Sequence, residues 1–384
     1  MKIILFILFL VAAPSFLLTS TEAWTEEERL QEYYARNYTW PIPQFTPNTP
    51  GWEALMRHRL RQVEEIDDQM ERFEGYAQTI SAGLIQRNFT EHGFGLARAP
   101  EELMEALRKA IRDGVAEGPR EEYYIPVIEG LRPWFIDRPD LTQRVLKELH
   151  HYSETWAGME LTPEIAYGFR LYRNQSNLHV HVDKPETHVI SFILHIDSSE
   201  DAEPWPILIE DFHGTTHEVI LTSGDILFYE SSKCFHGRPR KLNGSWYSSV
   251  FVHYYPKHGY KGVFDPDGRA YAIPPHWQEA PTAHYEIPVQ MHSTAFEEPD
   301  CPNGWCGTQY SKLWSGPGEE GYVIAPTGEK IPFQPWPVSC TDLDDDCTRY
   351  LGQNSEECDA NPRYMLKYCA KSCLACTPGA HEEL

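Results

Sequence analysis

The sequence predicts an α+β protein: an N-terminal region with packed helices, a jelly roll or sandwich of short strands, and a small disulfide-rich C-terminal module. Three observations predict it. Before residue 160, apolar residues recur at helical spacing. From residue 162 the pattern changes to short apolar or alternating runs separated by turn residues. Eight of the 9 cysteines lie beyond residue 300, six of them between Cys340 and Cys376.

Residues 1–23 read as a signal peptide. Lys2 supplies a basic start, Ile3 to Leu18 an apolar run interrupted by Pro14, and Thr21-Glu22-Ala23 a small-residue cleavage site. The run is shorter than the ~20 residues a spanning helix needs. A membrane is therefore a partner only if this segment stays as an uncleaved anchor. Clustered cysteines behind such a leader read as disulfides in an oxidising compartment, so the expected location is secreted or the endoplasmic reticulum lumen. Sequons at Asn37, Asn88, Asn174 and Asn243 agree with a glycoprotein. A net charge of −24 would repel a phosphate backbone, so nucleic acid is excluded as a partner and a peptide or protein substrate is not.

Residues 24–160 form the N-terminal part. Residues 24–51 are too rich in proline for a long helix and read as a wrapping segment. Leu60, Val63, Ile66, Met70 and Phe73 then make one helical stripe. A second follows Pro100, with Leu103, Leu107 and Ile111 on one face. A third follows Pro139, with Leu141, Val145, Leu149 and Tyr152 in line and Asp140 placed to cap its first turn. All three stripes read as core faces.

Residues 161–259 carry the strands: runs at 164–173, 188–197, 206–212, 217–231 and 245–255, punctuated by Ser223-Gly224-Asp225 and Asn243-Gly244. Residues 260–338 have few periodic runs and read as an irregular extension or linker, with Cys301 and Cys306 closing a small loop. Residues 339–377 form the cysteine-rich module. A core that small needs staples, and six cysteines leave their connectivity open.

The chemistry concentrates at 179–183. His181 and Asp183 are two apart, so on an extended chain both point to one face. Iron(II) sites that activate oxygen take two histidines and one carboxylate and leave other positions open. A third ligand must come from another strand, and His236 follows a strand and a Gly-Asp turn. His179 shares the face of His181, so the pattern alone leaves both imidazoles available. His188 and His195 read as hydrogen-bonded strand residues, and Cys234 as a buried free thiol.

With these residues in hand, 162–256 resembles the 2-oxoglutarate- and iron(II)-dependent dioxygenase superfamily, above all its prolyl 4-hydroxylase-like branch. The matching order is Arg170 and Tyr172, His181 and Asp183, an apolar strand, Gly224-Asp225, then His236-Gly237. The resemblance implies a double-stranded β-helix in which His181, Asp183 and His236 hold Fe(II). It implies 2-oxoglutarate as cosubstrate, converted to succinate and CO2 as a substrate C–H bond is hydroxylated, with L-ascorbate keeping the iron reduced. It implies an enzyme acting on a peptidyl residue, proline first. Aspartyl, asparaginyl or lysyl hydroxylation, or a non-catalytic jelly-roll binding protein, are the alternatives.

One position departs from the family. Where an Arg or Lys normally meets the second carboxylate of 2-oxoglutarate stands Trp246, followed by Tyr247 and Ser248. Arg238 and Arg240 are the substitute candidates, because a guanidinium binds a carboxylate in a fork. Arg238 is preferred because it precedes Pro239. Tyr172 and Ser248 are expected beside it.

The C-terminal cysteines resemble the ShK toxin-like domain, from Cys340-Thr341-Asp342 to the closing Cys369, Cys373 and Cys376. That resemblance implies the pairs Cys340–Cys376, Cys347–Cys369 and Cys358–Cys373. On a larger enzyme such a module reads as a docking or targeting unit. Lys367-Tyr368 does not occupy the place of the toxins' channel-blocking pair.

Overall fold

A computed structural model of the chain describes residues 49–80, 82–83, 88–257, 273, 275–309, 311–333, 342, 344–353, 357, 365, 369 and 371–373. The leader, the segment 24–48 with Asn37, and Cys340, Cys358 and Cys376 lie outside the described residues.

The first apolar stripe is carried by two helices rather than one: α1 (Pro50–Glu64) and α2 (Gln69–Ile80). Thr49 caps α1 by accepting from the Trp52 N–H, and Pro50 takes the first turn. The break falls where Asp68 Oδ1 accepts from the N–H groups of Met70 and Glu71, both at 2.9 Å, and so starts a new helix. Strand β1 (Phe94–Arg98) precedes α3 (Glu101–Glu117), which buries Leu103, Leu107 and Ile111. Short strands β2 (Arg120–Glu121), β3 (Ile128–Glu129) and β4 (Trp134–Ile136) follow. Helix α4 (Pro139–Glu148) buries Leu141 and Val145. Asp140 does not cap it but pairs with Arg138 at 2.6 Å, one position inside the first turn. The axis breaks at Leu149, and α5 (His150–Ala157) ends at Gly158, φ 69°.

The strands that follow are β5 (Leu161–Ala166), β6 (Phe169–Arg173), β7 (Asn177–His181), β8 (Ile190–Ser198), β9 (Ile207–Glu210), β10 (Thr216–Ile220), β11 (Asp225–Tyr229), β12 (His236–Arg238) and β13 (Trp246–Pro256). From β6 to β13 the chain passes back and forth between two sheets, with β9 and β10 paired within one of them. β6, β8, β11 and β13 fall in one, and β7, β9, β10 and β12 in the other. This is the double-stranded β-helix form of the jelly roll.

Two cores result. Tyr172, Ile193, Trp205, Ile209, Tyr229, Tyr247 and Phe251 belong to the core that includes the space between the sheets. Leu103, Val145, Phe192, Leu194, Val250, Val252 and Tyr254 fill the space between the larger sheet and the helices. Strand β13 feeds both, Tyr247 and Phe251 to one and Val250, Val252 and Tyr254 to the other, as a period of two requires. Because helices cover its outer face, β8 is buried on both sides from Ile190 to Ile196, which explains why apolar residues fill most of that stretch, with Ser191 and His195 as the exceptions.

The segment 260–338 departs from the linker expectation. It supplies β14 (Gln290–His292), β15 (Ala295–Glu297), β16 (Lys312–Ser315), β17 (Tyr322–Ile324) and β18 (Lys330–Pro332). β15 pairs with β7, β16 runs parallel to β10, and β17 pairs with β1, so the segment extends both sheets. Strands of three or four residues are too short to display a period.

In the C-terminal part, α6 (Cys347–Gln353) opens a small core of Cys347, Met365 and Cys369. Cys301–Cys306 and Cys347–Cys369 are disulfides, Cys373 is disulfide-bonded, and Cys234 is a buried free thiol. Among the described residues no helix is long and apolar enough to cross a membrane.

Candidate metal centre

His181 closes β7 and His236 opens β12, and the two are direct cross-strand partners with ring centroids 4.5 Å apart. Their strands approach so closely that a Cβ at Gly237 would lie 2.9 Å from the carbonyl oxygens of Leu178 and His179. A glycine must therefore follow the distal histidine. Asp183 leaves the strand with its N–H bonded to Ser231 O at 2.8 Å. Its Oδ1 lies 3.6 Å from His181 Nε2 and its Oδ2 3.9 Å from His236 Nε2. One ligand atom from each of the three residues lies within 4.8 Å of the others.

The donor chemistry fits a divalent transition metal. His181 Nδ1 is 2.9 Å from His179 O, and His236 Nδ1 is 2.9 Å from Cys234 O. A carbonyl can only accept, so each Nδ1 carries a proton, and in the neutral ring this leaves Nε2 to offer the lone pair. Burial, with His181 beside it, pushes His236 down to about 4, which keeps it neutral. Burial alone would raise the Asp183 carboxyl. His181, His236 and His253 outweigh that and hold it well below the usual carboxylate range. Asp183 Oδ2 is buried without a hydrogen-bond partner. Two neutral imidazoles, one carboxylate and an orphaned carboxylate oxygen are what an iron(II) ligand set requires.

Beside the triad lies a second polar spot. Arg238 is wholly buried, and none of its three guanidinium nitrogens has a hydrogen-bond partner. Its guanidinium carbon sits 4.9 Å from the Trp205 ring and 5.1 Å from the Tyr247 ring. The hydroxyls of Tyr172, Tyr247 and Ser249 are also buried and unpartnered. Arg238 and Tyr172 both pack on Trp205, while the two other expected residues lie elsewhere. Arg240 is part-exposed and lies 3.5 Å from Glu218. Ser248 Oγ is committed to β8, donating to Asp197 O at 2.7 Å and accepting from Asp197 N–H at 3.1 Å. Ser249, one position on, lies on the opposite side of the pleat.

Other residues near the site were not singled out in the sequence. His253 Nδ1 lies 3.7 Å from Asp183 Oδ2 and 2.7 Å from Ser191 Oγ, and its ring stacks on His188 at 3.9 Å. Tyr229 packs on His236 at 4.7 Å. The period of β13 carried a signal for Tyr247, Ser249 and His253, which alternate along it. Trp205, in a loop, had none. Arg170 makes a two-pronged pair with Glu122, at 2.7 and 2.8 Å, and so is committed. His195 donates from Nδ1 to Ser248 O at 2.9 Å and stacks on Tyr247.

His179 does not join the triad. The β7–β12 pairing shifts register between His236 and Arg238, and the His179 ring instead stacks on His292 at 3.8 Å.

No family model matches the chain, and no curated protein matches it. Parts of the chain are similar to solved structures. A prolyl-4-hydroxylase from Pseudomonas putida is 16% identical over 48% of this chain and 99% of its own, with a TM-score of 0.35. A prolyl hydroxylase from Trichoplax adhaerens, in complex with a hypoxia inducible factor peptide fragment, is 12% identical over 52% of this chain and 92% of its own, TM-score 0.35. HygX from Streptomyces hygroscopicus, with nickel and 2-oxoglutarate bound, is 13% identical over 43% and 83%, TM-score 0.33. At such identities and TM-scores the functional reading rests on the side chains of the site.

Proposed function

We propose that the chain is an iron(II)- and 2-oxoglutarate-dependent dioxygenase of the secretory pathway that hydroxylates a peptidyl residue, proline first. One observation carries the reading: a triad of two imidazoles and an ionised carboxylate stands beside a buried guanidinium that packs on two aromatic rings and that no carboxylate pairs with among the described residues. A buried, unpaired cation is costly, so its retention points to an anionic ligand. His181, Asp183 and His236 would hold the iron. Bound there, iron(II) with 2-oxoglutarate supplies the oxidation that puts one atom of dioxygen into a substrate C–H bond and the other into succinate, with release of CO2.

The protein's own part is positioning. The backbone carbonyls of His179 and Cys234 fix the tautomers of the two imidazoles. Arg238 supplies the cation for the second carboxylate of 2-oxoglutarate, with the hydroxyls of Tyr172, Tyr247 and Ser249 beside it. Trp205 and Tyr247 flank the guanidinium and keep water from it. The preference for proline rests on the motif order in residues 162–256. Ascorbate is the expected reductant. The leader, the sequons and the disulfides support the secretory route, and the C-terminal module is read as a ShK-like docking unit.

The test is succinate release from 2-oxoglutarate by the iron-loaded protein, with and without prolyl, aspartyl, asparaginyl and lysyl peptides. Peptide-stimulated succinate that vanishes in His236→Ala supports the reading. No succinate with any peptide, in protein that binds iron, leaves the non-catalytic binding protein in its place.

A further inference from the structure

Two residues before His181, the chain carries a second group of metal-ligating side chains that the proposed reaction does not use. His179 is buried, and its ring lies 3.8 Å from that of His292, 8° from parallel. His292 Nε2 is 2.7 Å from Glu297 Oε2, and one ligand atom each from His179, His292 and Glu297 lies within 4.8 Å of the others. Glu129 Oε2 stands 3.9 Å from His179 Nε2. These side chains come from β7, the β14–β15 hairpin and β3, three segments separate in the chain. We propose that His179, His292 and Glu297, with Glu129 as a fourth donor, form a second divalent-metal site, zinc by its ligand type, separate from the iron triad.

The donor set is complete for zinc: two imidazole nitrogens and two carboxylates, which leave a doubly charged ion neutralised. The ligand atoms of His179, His292 and Glu297 fall within the same 4.8 Å limit as those of the triad, and Glu129 adds an oxygen 3.9 Å from His179 Nε2. Bonds of ~2.0–2.1 Å require tetrahedral donors to close to roughly 3.3 Å. Three of the four side chains are free to turn inward, since His292, Glu297 and Glu129 are 34%, 26% and 50% exposed. An entry path exists as well. Glu129 and Glu297 line an open cleft of about 560 Å³ that also borders Asn177, Arg240 and Asn303.

Hydrogen bonding alone explains only half of the arrangement. It accounts for His292 with Glu297, but 3.9 Å is too long for a hydrogen bond between His179 and Glu129. Binding displaces the proton shared between His292 and Glu297 to solvent. The ion would tie the β14–β15 hairpin and the β3 edge to β7, the strand that ends in His181. Glu297 adjoins Glu298, whose carboxylate pairs with Arg59 of α1 at 2.5 Å. The clip would thus connect the strand of the metal ligands to the N-terminal helices.

The experiment counts metal rather than activity. The full chain is stripped with a chelator, reloaded with zinc, desalted and analysed by mass spectrometry. Wild type should hold one equivalent more than His292→Ala, and the same difference should persist when both chains carry His181→Ala. Cobalt(II) in the His181→Ala chain should give an intense tetrahedral visible band that His292→Ala removes. If His292→Ala does not fold, Glu297→Gln in the His181→Ala background should lose the upward Tm shift that zinc produces without it. Equal zinc in wild type and His292→Ala, or a zinc-induced shift untouched by Glu297→Gln, overturns the proposal.

Discussion

Replacing Arg238 by methionine should act differently on cosubstrate binding and on stability. The guanidinium is 0% exposed with three unpartnered nitrogens, so the free protein carries a buried cation whose only contacts of note are two aromatic rings. Methionine fills a similar volume without charge. Exchanging a buried ionic group for a packed apolar one often stabilises by ~1–4 kcal/mol, and losing two cation–π contacts offsets ~1–2 kcal/mol of that. The metal-free variant should therefore lie between ~1 kcal/mol less and ~3 kcal/mol more stable than wild type. With 2-oxoglutarate bound, the effect is a loss, because its second carboxylate would be buried without a cation. That loss is ~3–5 kcal/mol, or roughly a hundred- to several-thousand-fold in Kd. Urea unfolding of the metal-free protein reads the first effect. Calorimetric titration of 2-oxoglutarate into the manganese-loaded protein reads the second. Arg240→Met, on an exposed side chain, should change neither by more than about twofold in Kd. Wild-type affinity in Arg238→Met, or Arg238→Met destabilised by more than ~1 kcal/mol alongside weakened binding in Arg240→Met, would refute the assignment.

Three further outcomes are expected. Arg59 is buried between Glu210 at 2.8 Å and Glu298 at 2.5 Å, so Arg59→Met strands two carboxylates and should cost ~3–5 kcal/mol in urea unfolding. A loss below ~1 kcal/mol would mean the network is hydrated rather than dry. Burial pushes His195 down to about 3 in the folded chain, against an ordinary value of 6.5. The unfolded chain then binds the extra proton between those values. Stability falls as pH drops from 6.5, by up to ~1.4 kcal/mol per pH unit for this histidine. His195→Gln should flatten that slope in denaturant titrations at pH 6.5 to 4, and an unchanged slope would show that His195 is not the group responsible. Thiol labelling of the denatured, unreduced chain should tag Cys234 alone, since the other eight cysteines are expected in disulfides. Labelling of several C-terminal cysteines would count against both the module and the secretory route.

The sequence alone determined whatever depends on local spacing. His181 and Asp183, two apart in the chain, bring their ligand atoms to 3.6 Å of each other. The stripes of α3 and α4 are buried because apolar residues recur every three or four positions. Gly224 reads as a turn residue, and it stands before β11 with φ 93°. Cys301 and Cys306 lie close enough in the chain to close a loop. Tertiary structure decided what depends on register and on distant partners. A shift in the β7–β12 pairing sends His179 to His292 and leaves His181 opposite His236. One step along β13 separates Ser248, bonded to Asp197, from Ser249, whose hydroxyl is buried and unpartnered. Arg238 and Arg240 both follow His236 at even spacing, yet only Arg238 is enclosed, because Trp205 comes from another segment to cover it. The strands of 290–332 exist only as additions to sheet edges already built, and their three or four residues carry no period of their own. Side-chain direction along one strand is a local property. Which neighbour that side chain meets depends on pairing between strands, where a one-residue shift changes the face and nothing in the local sequence records it.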